Sequence, residues 1–125
     1  MTNNQDKQTP SSIRYLMIIN ELSYTDAGVR AVNIAKELSV TKPSVYTMLK
    51  LLTQKGLACK GKYEAVHLTK RGEELAAQYT KCFELLNKKM SDYTGIVAKD
   101  CERASCVLLS EIPCGELIKL EKKLR

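Results

Sequence analysis

Residues 31–57 read AVNIAKELSVTKPSVYTMLKLLTQKGL, and the fold turns on how that run divides. Ala31 to Leu38 carries apolar residues at helical spacing, with Val32, Ala35 and Leu38 inward and Ile34 beside them. Ser39-Val40-Thr41 interrupts the pattern. From Lys42 it resumes to about Lys55, with Val45, Met48, Leu49 and Leu52 as the buried stripe. Thr41 is a good N-cap, because its hydroxyl can accept a hydrogen bond from an otherwise unpaired N–H of the first turn. Pro43 lies within that turn, where a missing N–H costs little. Gly56 closes the helix as a C-terminal glycine. Two short helices joined by a tight turn make a helix-turn-helix.

Outward from this run, two short strands are predicted. Leu57 to Lys60 and Ala65 to Leu68 flank the turn Gly61-Lys62-Tyr63-Glu64. Val66 and Leu68 alternate inward, which leaves His67 as a solvated residue of the hairpin. Upstream, Ile13, Leu16, Met17, Ile19 and Leu22 predict a helix capped by Ser11 or Ser12, ended by a polar turn from Ser23 to Gly28. Downstream, Thr69 starts a long amphipathic helix from Lys70 to about Met90. Leu75, Tyr79, Leu86 and either Cys82 or Phe83 face inward on it. Further helices run from about Ile96 to Ser110 and, after Pro113, through Leu117, Leu120 and Leu124.

The fold class is therefore mainly α: a winged helix-turn-helix with a two-stranded wing, followed by a helical dimerisation segment. Residues 1–10 read as a disordered polar tail, 11–70 as a DNA-binding domain, and 71–125 as the dimerisation segment, which also offers an effector or metal site. The helices after Thr69 carry more apolar surface than so small a head can cover, which predicts a two-fold homodimer.

Charge placement points to the partner. The chain has a formal net charge of +6. Between residues 41 and 71, Lys42, Lys50, Lys55, Lys60, Lys62, Lys70 and Arg71 face only Glu64, so the whole excess lies in that stretch. Localised positive charge is the footprint of a polyanion partner. With its stripe buried, the second helix of the pair shows Lys42, Pro43, Ser44, Tyr46, Thr47 and Lys50, led by Thr41, and no glutamate. Hydroxyls can bond phosphates or base edges, and a proline ring can touch a thymine methyl. Lys60 and Lys62 in the wing are placed to reach a phosphate or a minor groove. Double-stranded DNA is the expected partner, and transcriptional regulation the expected role.

Other classes fall away. The apolar run from Leu16 to Ile19 is too short to cross a bilayer, and no targeting segment is read, so a cytoplasmic protein with no membrane partner is expected. Five cysteines, an odd number, are then thiols rather than disulfides. No nucleophile–base pair, phosphate-cradling glycine loop or paired carboxylates suggest an enzyme. A winged helix that binds protein instead of DNA is the rival reading, and the confinement of the charge argues against it.

Two segments resemble the metal-dependent repressors of the DtxR and manganese-regulator type. One runs from Ala31 through Ile34, Ala35, Leu38, Val40, Pro43, Ser44 and Val45 to Gly56 and Leu57, and the other is Leu68-Thr69-Lys70-Arg71-Gly72. The likeness extends from Tyr15 through Ser110, in the form of the shorter members that lack an SH3-like domain. It implies dimeric repressors on palindromic operators, with iron or manganese as corepressor. The family's ligand places fall here on Arg14, Met17, Phe83, Glu102, Ser105 and Cys106. A guanidinium cannot be a ligand, and of these only Glu102 is a standard donor for a hard metal. Three readings remain open for the cysteines. They are core residues, or Cys106, Cys101 and Cys82 with Glu102 hold zinc or another thiolate-preferring transition metal, or they form a redox switch without metal. An Arg14–Glu102 ion pair in place of the metal is a further expectation.

Overall fold

The computed structural model describes residues 7–24 and 27–125, and of Lys62 the backbone alone. Expectations for the first six residues of the tail, for Thr25 and Asp26 in the polar turn and for the Lys62 side chain lie outside the described residues. The elements are α1 (Pro10–Leu22), α2 (Ala31–Leu38), α3 (Lys42–Gln54), β1 (Ala58–Lys60), β2 (Val66–Leu68), α4 (Lys70–Thr94), α5 (Ala98–Ser110) and α6 (Leu117–Leu124). This is the mainly helical winged architecture expected. The chain forms two compact units, residues 15–76 and residues up to 14 together with 77–125.

In the first unit, α2 ends because Ser39 turns left-handed at φ 54°, with its N–H and that of Val40 returning to the Lys36 and Ala35 carbonyls. Ala31 and Ile34 are the buried pair of α2. Val32, expected inward, is 37% exposed, while Ala35 and Leu38 are half-buried. The apolar stripe is thus rotated by about one residue from the one read in the sequence. Thr41 caps α3, its Oγ accepting from the Ser44 N–H at 3.3 Å. Val45, Leu49 and Leu52 are buried beneath α3, and Met48 is half-buried. Gly56, at φ +75°, reverses the chain so that the Leu57 N–H reaches the Leu52 carbonyl at 2.9 Å.

The wing is antiparallel, with Ala58 opposite Leu68, Cys59 opposite His67 and Lys60 opposite Val66. Val29 exchanges both backbone hydrogen bonds with Val66, at 2.9 and 2.8 Å, adding a one-residue rung that the sequence did not suggest. At the tip, the Gly61 N–H bonds the Ala65 carbonyl at 2.7 Å. Inside that loop, Tyr63 and Glu64 are both left-handed, at φ 57° and 60°. Such a conformation costs a residue with a Cβ roughly 1–2 kcal/mol. His67 is not the solvated residue expected. Its ring is half-buried between two glycines, and a methyl group added to either Gly28 or Gly61 would come within 2.7 Å of Nε2.

In the second unit, Tyr79, Cys82, Cys101, Cys106, Leu109 and Leu117 are buried, while Phe83, Leu86, Leu120 and Leu124 are half-buried. Residues at the end of the expected tail are held in place. Pro10 opens α1, and Gln8 is buried, its Oε1 accepting from the Ser12 hydroxyl at 3.1 Å. The Tyr79 hydroxyl lies 3.5 Å from the Cys114 sulfur. Val107 and Leu108 on α5 and Ile118 on α6 stand exposed.

Candidate nucleic-acid interface

The face of α3 opposite its buried stripe is open along its length. Thr41, Lys42, Pro43, Ser44, Tyr46, Thr47 and Lys50 are all exposed. Between the ridges lies a shallow depression of about 560 Å³ lined by Ser44, Thr47, Met48, Lys50, Leu51 and Gln54. Gln54 was not among the residues singled out from sequence. It lies four residues beyond Lys50 and seven beyond Thr47, the spacing of one helix face, and that signal was available.

Hydrogen bonds within this face determine what it can offer. Thr41 Oγ1 and Ser44 Oγ are 2.9 Å apart. One hydroxyl donates to the other, so the pair keeps one hydrogen for an outside acceptor such as a phosphate. Thr47 Oγ1 donates to the Pro43 carbonyl at 3.0 Å. Its hydrogen is engaged, so toward a ligand Thr47 presents lone pairs and a methyl group. These match a base amino group and a thymine methyl. Pro43 lies one turn away on the same edge. Lys42 and Lys50 are cations with no acid of the helix to neutralise them. In the wing, Lys60 is exposed on β1, and Lys62 belongs to the tip.

The candidate ligands for a metal are arranged differently from the expectation. Cys82 and Cys101 each donate to a backbone carbonyl, that of Leu117 at 3.4 Å and that of Ile96 at 3.3 Å. Cys106 is buried, and burial pushes its thiol above its ordinary range. The Arg14 guanidinium opposes that shift, and the Glu102 carboxylate adds to it. Burial, with Glu121 nearby, also raises Cys82. Among the described residues, no three His, Cys, Asp or Glu side chains form a group able to hold a metal, Glu102, Cys106, Cys101 and Cys82 included. Nor does an ion pair join Arg14 to Glu102.

The donor set therefore does not fit a manganese or iron ion. Arg14 repels a cation, and Phe83 offers no donor. The Ser105 hydroxyl is directed at Asn87 Oδ1 and the Met90 sulfur, at 3.5 and 3.6 Å. Only Glu102 remains exposed and suitable. The buried thiols are also poor redox sensors, because attack on an oxidant needs an accessible thiolate.

Several solved structures share this architecture. A structure of the manganese regulator SloR is 30% identical over 94% of this chain, with a TM-score of 0.75. The metal-dependent transcriptional regulator MtsR, at 22% identity over 94% of the chain, has a TM-score of 0.72. A hypothetical protein from Sulfolobus solfataricus, 24% identical, matches 94% of this chain and 89% of its own, with a TM-score of 0.63. The chain spans 54% of the SloR and MtsR chains. No protein-family model matches it, and no curated protein does.

Proposed function

Because the chain shares its fold with metal-dependent regulators of the DtxR and manganese-regulator type, we propose that it is a DNA-binding transcriptional regulator. It acts as a homodimeric repressor on a palindromic operator in the cytoplasm, and as a binding protein rather than an enzyme. The observation that carries this reading is the exposed face of α3. It holds two cations, three hydroxyl side chains and Tyr46, with no carboxylate, and it is followed by a wing that continues the basic stretch.

In this reading α3 enters the major groove by its N-terminal end. Lys42, Lys50, Lys60 and Lys62 neutralise phosphates and so supply sequence-independent affinity. Thr41 and Ser44 fix the register by bonding the backbone, while Pro43, Thr47 and Tyr46 meet base edges and supply preference. The exposed Val107, Leu108 and Ile118 support a two-fold pairing that sets the spacing between half-sites. Control by manganese or iron at the places the family implies is not part of the reading, since the side chains there do not fit the ion.

The test is selection of duplexes from a random-sequence pool by the full chain, followed by titration at several salt concentrations. A palindromic consensus bound with a steep negative salt slope is the expected result. No enrichment, or affinity indifferent to salt, would overturn the proposal.

A further inference from the structure

Tyr63 is 87% exposed, more than any other large hydrophobic side chain among the described residues. It stands at the wing tip, in a left-handed conformation that bulky side chains rarely adopt, and Glu64 after it is left-handed too. The Gly61–Ala65 hydrogen bond closes the loop beneath it. Exposing an aromatic ring on a strained turn gains no burial, and strain of this kind concentrates where a ligand is met. The local sequence is basic: Lys60 and Lys62 precede Tyr63 and Glu64 follows it, within the stretch that carries the whole net charge of the chain.

We propose that Tyr63 enters the minor groove of DNA flanking the half-site read by α3, and that it makes the protein prefer A·T pairs there. This rests on the DNA-binding reading above and adds a residue and a groove to it. The wing follows α3 through Gly56, and its three-residue strands span on the order of 10 Å, the length needed to pass one phosphate backbone. The minor groove is about 6 Å wide, so it admits a phenol ring edge-on but not a helix. Its floor at A·T pairs presents only acceptors, adenine N3 and thymine O2, to which the Tyr63 hydroxyl can donate. At G·C pairs the guanine amino group fills the floor and offers a competing donor. Lys60 serves a different purpose, neutralising the phosphates on either side.

The experiment uses the full chain and three versions of one duplex recovered by selection. Their flanks carry A·T, G·C or inosine·C pairs, the last lacking the minor-groove amino group while keeping the major-groove pattern of G·C. The wild type should bind the A·T and inosine·C flanks about tenfold more tightly than G·C. Tyr63→Asn, whose side chain accepts a left-handed backbone, should keep the turn and lose that preference. Lys60→Ala should weaken all three duplexes equally. Tyr63→Trp places a single tryptophan in a chain that has none, and its emission should change when the A·T duplex is added. Equal binding of the three duplexes by the wild type, or an unchanged preference in Tyr63→Asn, overturns the role of Tyr63 alone. Failure of selection to recover any duplex overturns the DNA-binding reading and this inference with it.

Discussion

The hydroxyl of Thr69 donates to the carbonyl of Gly56 at 2.7 Å and accepts the N–H of Gly72 at 3.1 Å. One side chain thus joins the residue that ends α3 to the first turn of α4, with the whole wing looped out between them. The Thr69 N–H adds a bond to the Leu57 carbonyl at 3.0 Å. Thr69→Ala should lower the unfolding free energy by about 1–2 kcal/mol, since it leaves both a carbonyl and a first-turn N–H without their partner. Thr69→Ser should recover most of the loss. Urea denaturation measures both, and an unshifted midpoint in the alanine variant would contradict this account.

The buried thiols predict an alkaline loss of stability. Burial raises Cys82 and Cys106 above their ordinary 9.0, and burial with the Cys114 contact raises Tyr79 far above its ordinary 10.0. The folded chain therefore binds more protons than the unfolded one once pH exceeds the unfolded values, and stability falls as pH rises. Thermal midpoints should be flat on this account up to about pH 9 and decline beyond it. At neutral pH, the exposed Cys59 should be alkylated well before Cys82, Cys101 and Cys106. Mass mapping of a short iodoacetamide pulse gives the order, and early labelling of Cys106 would count against the buried geometry.

Substitutions on the DNA-facing side should divide into two kinds. Lys50→Ala and Lys60→Ala should weaken binding to every duplex and flatten the salt dependence by about one unit per lost phosphate contact. Pro43→Ala and Thr47→Ala should instead leave the salt slope alone and narrow the gap between preferred and random duplexes by about tenfold. Anisotropy titrations at four salt concentrations separate the two effects. If all four variants matched the wild type, α3 would not be the reading helix.

Chelation gives a separate check. Removing divalent ions with EDTA should leave DNA affinity within about twofold, and adding manganese should not raise it, because Arg14 and Phe83 occupy places that the family resemblance assigns to ligands. A tenfold or larger gain with stoichiometric manganese would show that the ion finds donors elsewhere in the chain.

The sequence was most informative where backbone chemistry is local. The bounds of α2, the Thr41 cap, Pro43 in the first turn and the reversal at Gly56 depend on neighbours a few residues away, and all were legible. The phase of α2 was not. Ala31, Val32, Ile34 and Ala35 satisfy a helical stripe in two rotations one residue apart, and only packing selects the one that buries Ala31 and Ile34. The Val29–Val66 rung and the burial of Gln8 likewise depend on partners distant in sequence or on a tertiary surface. The exposed face of α3 followed from periodicity, whereas the surroundings of the cysteines did not. Cys101 and Cys106 lie on one helix, but their sulfur environments depend on Ile96 and Arg14, which no spacing rule connects to them.

The His67 ring, held between Gly28 and Gly61, ties three positions into one evolutionary unit. Gly61 has an ordinary backbone angle, so what bars a side chain there is the imidazole itself. A lineage that shrinks residue 67 to serine or alanine releases position 61 to drift, while a lineage that keeps histidine must keep glycine there. Position 28 stays constrained in either case, by its left-handed φ of +87° and by the Ala65 methyl group. Comparison of orthologous wings should therefore show positions 61 and 67 changing together and position 28 standing still.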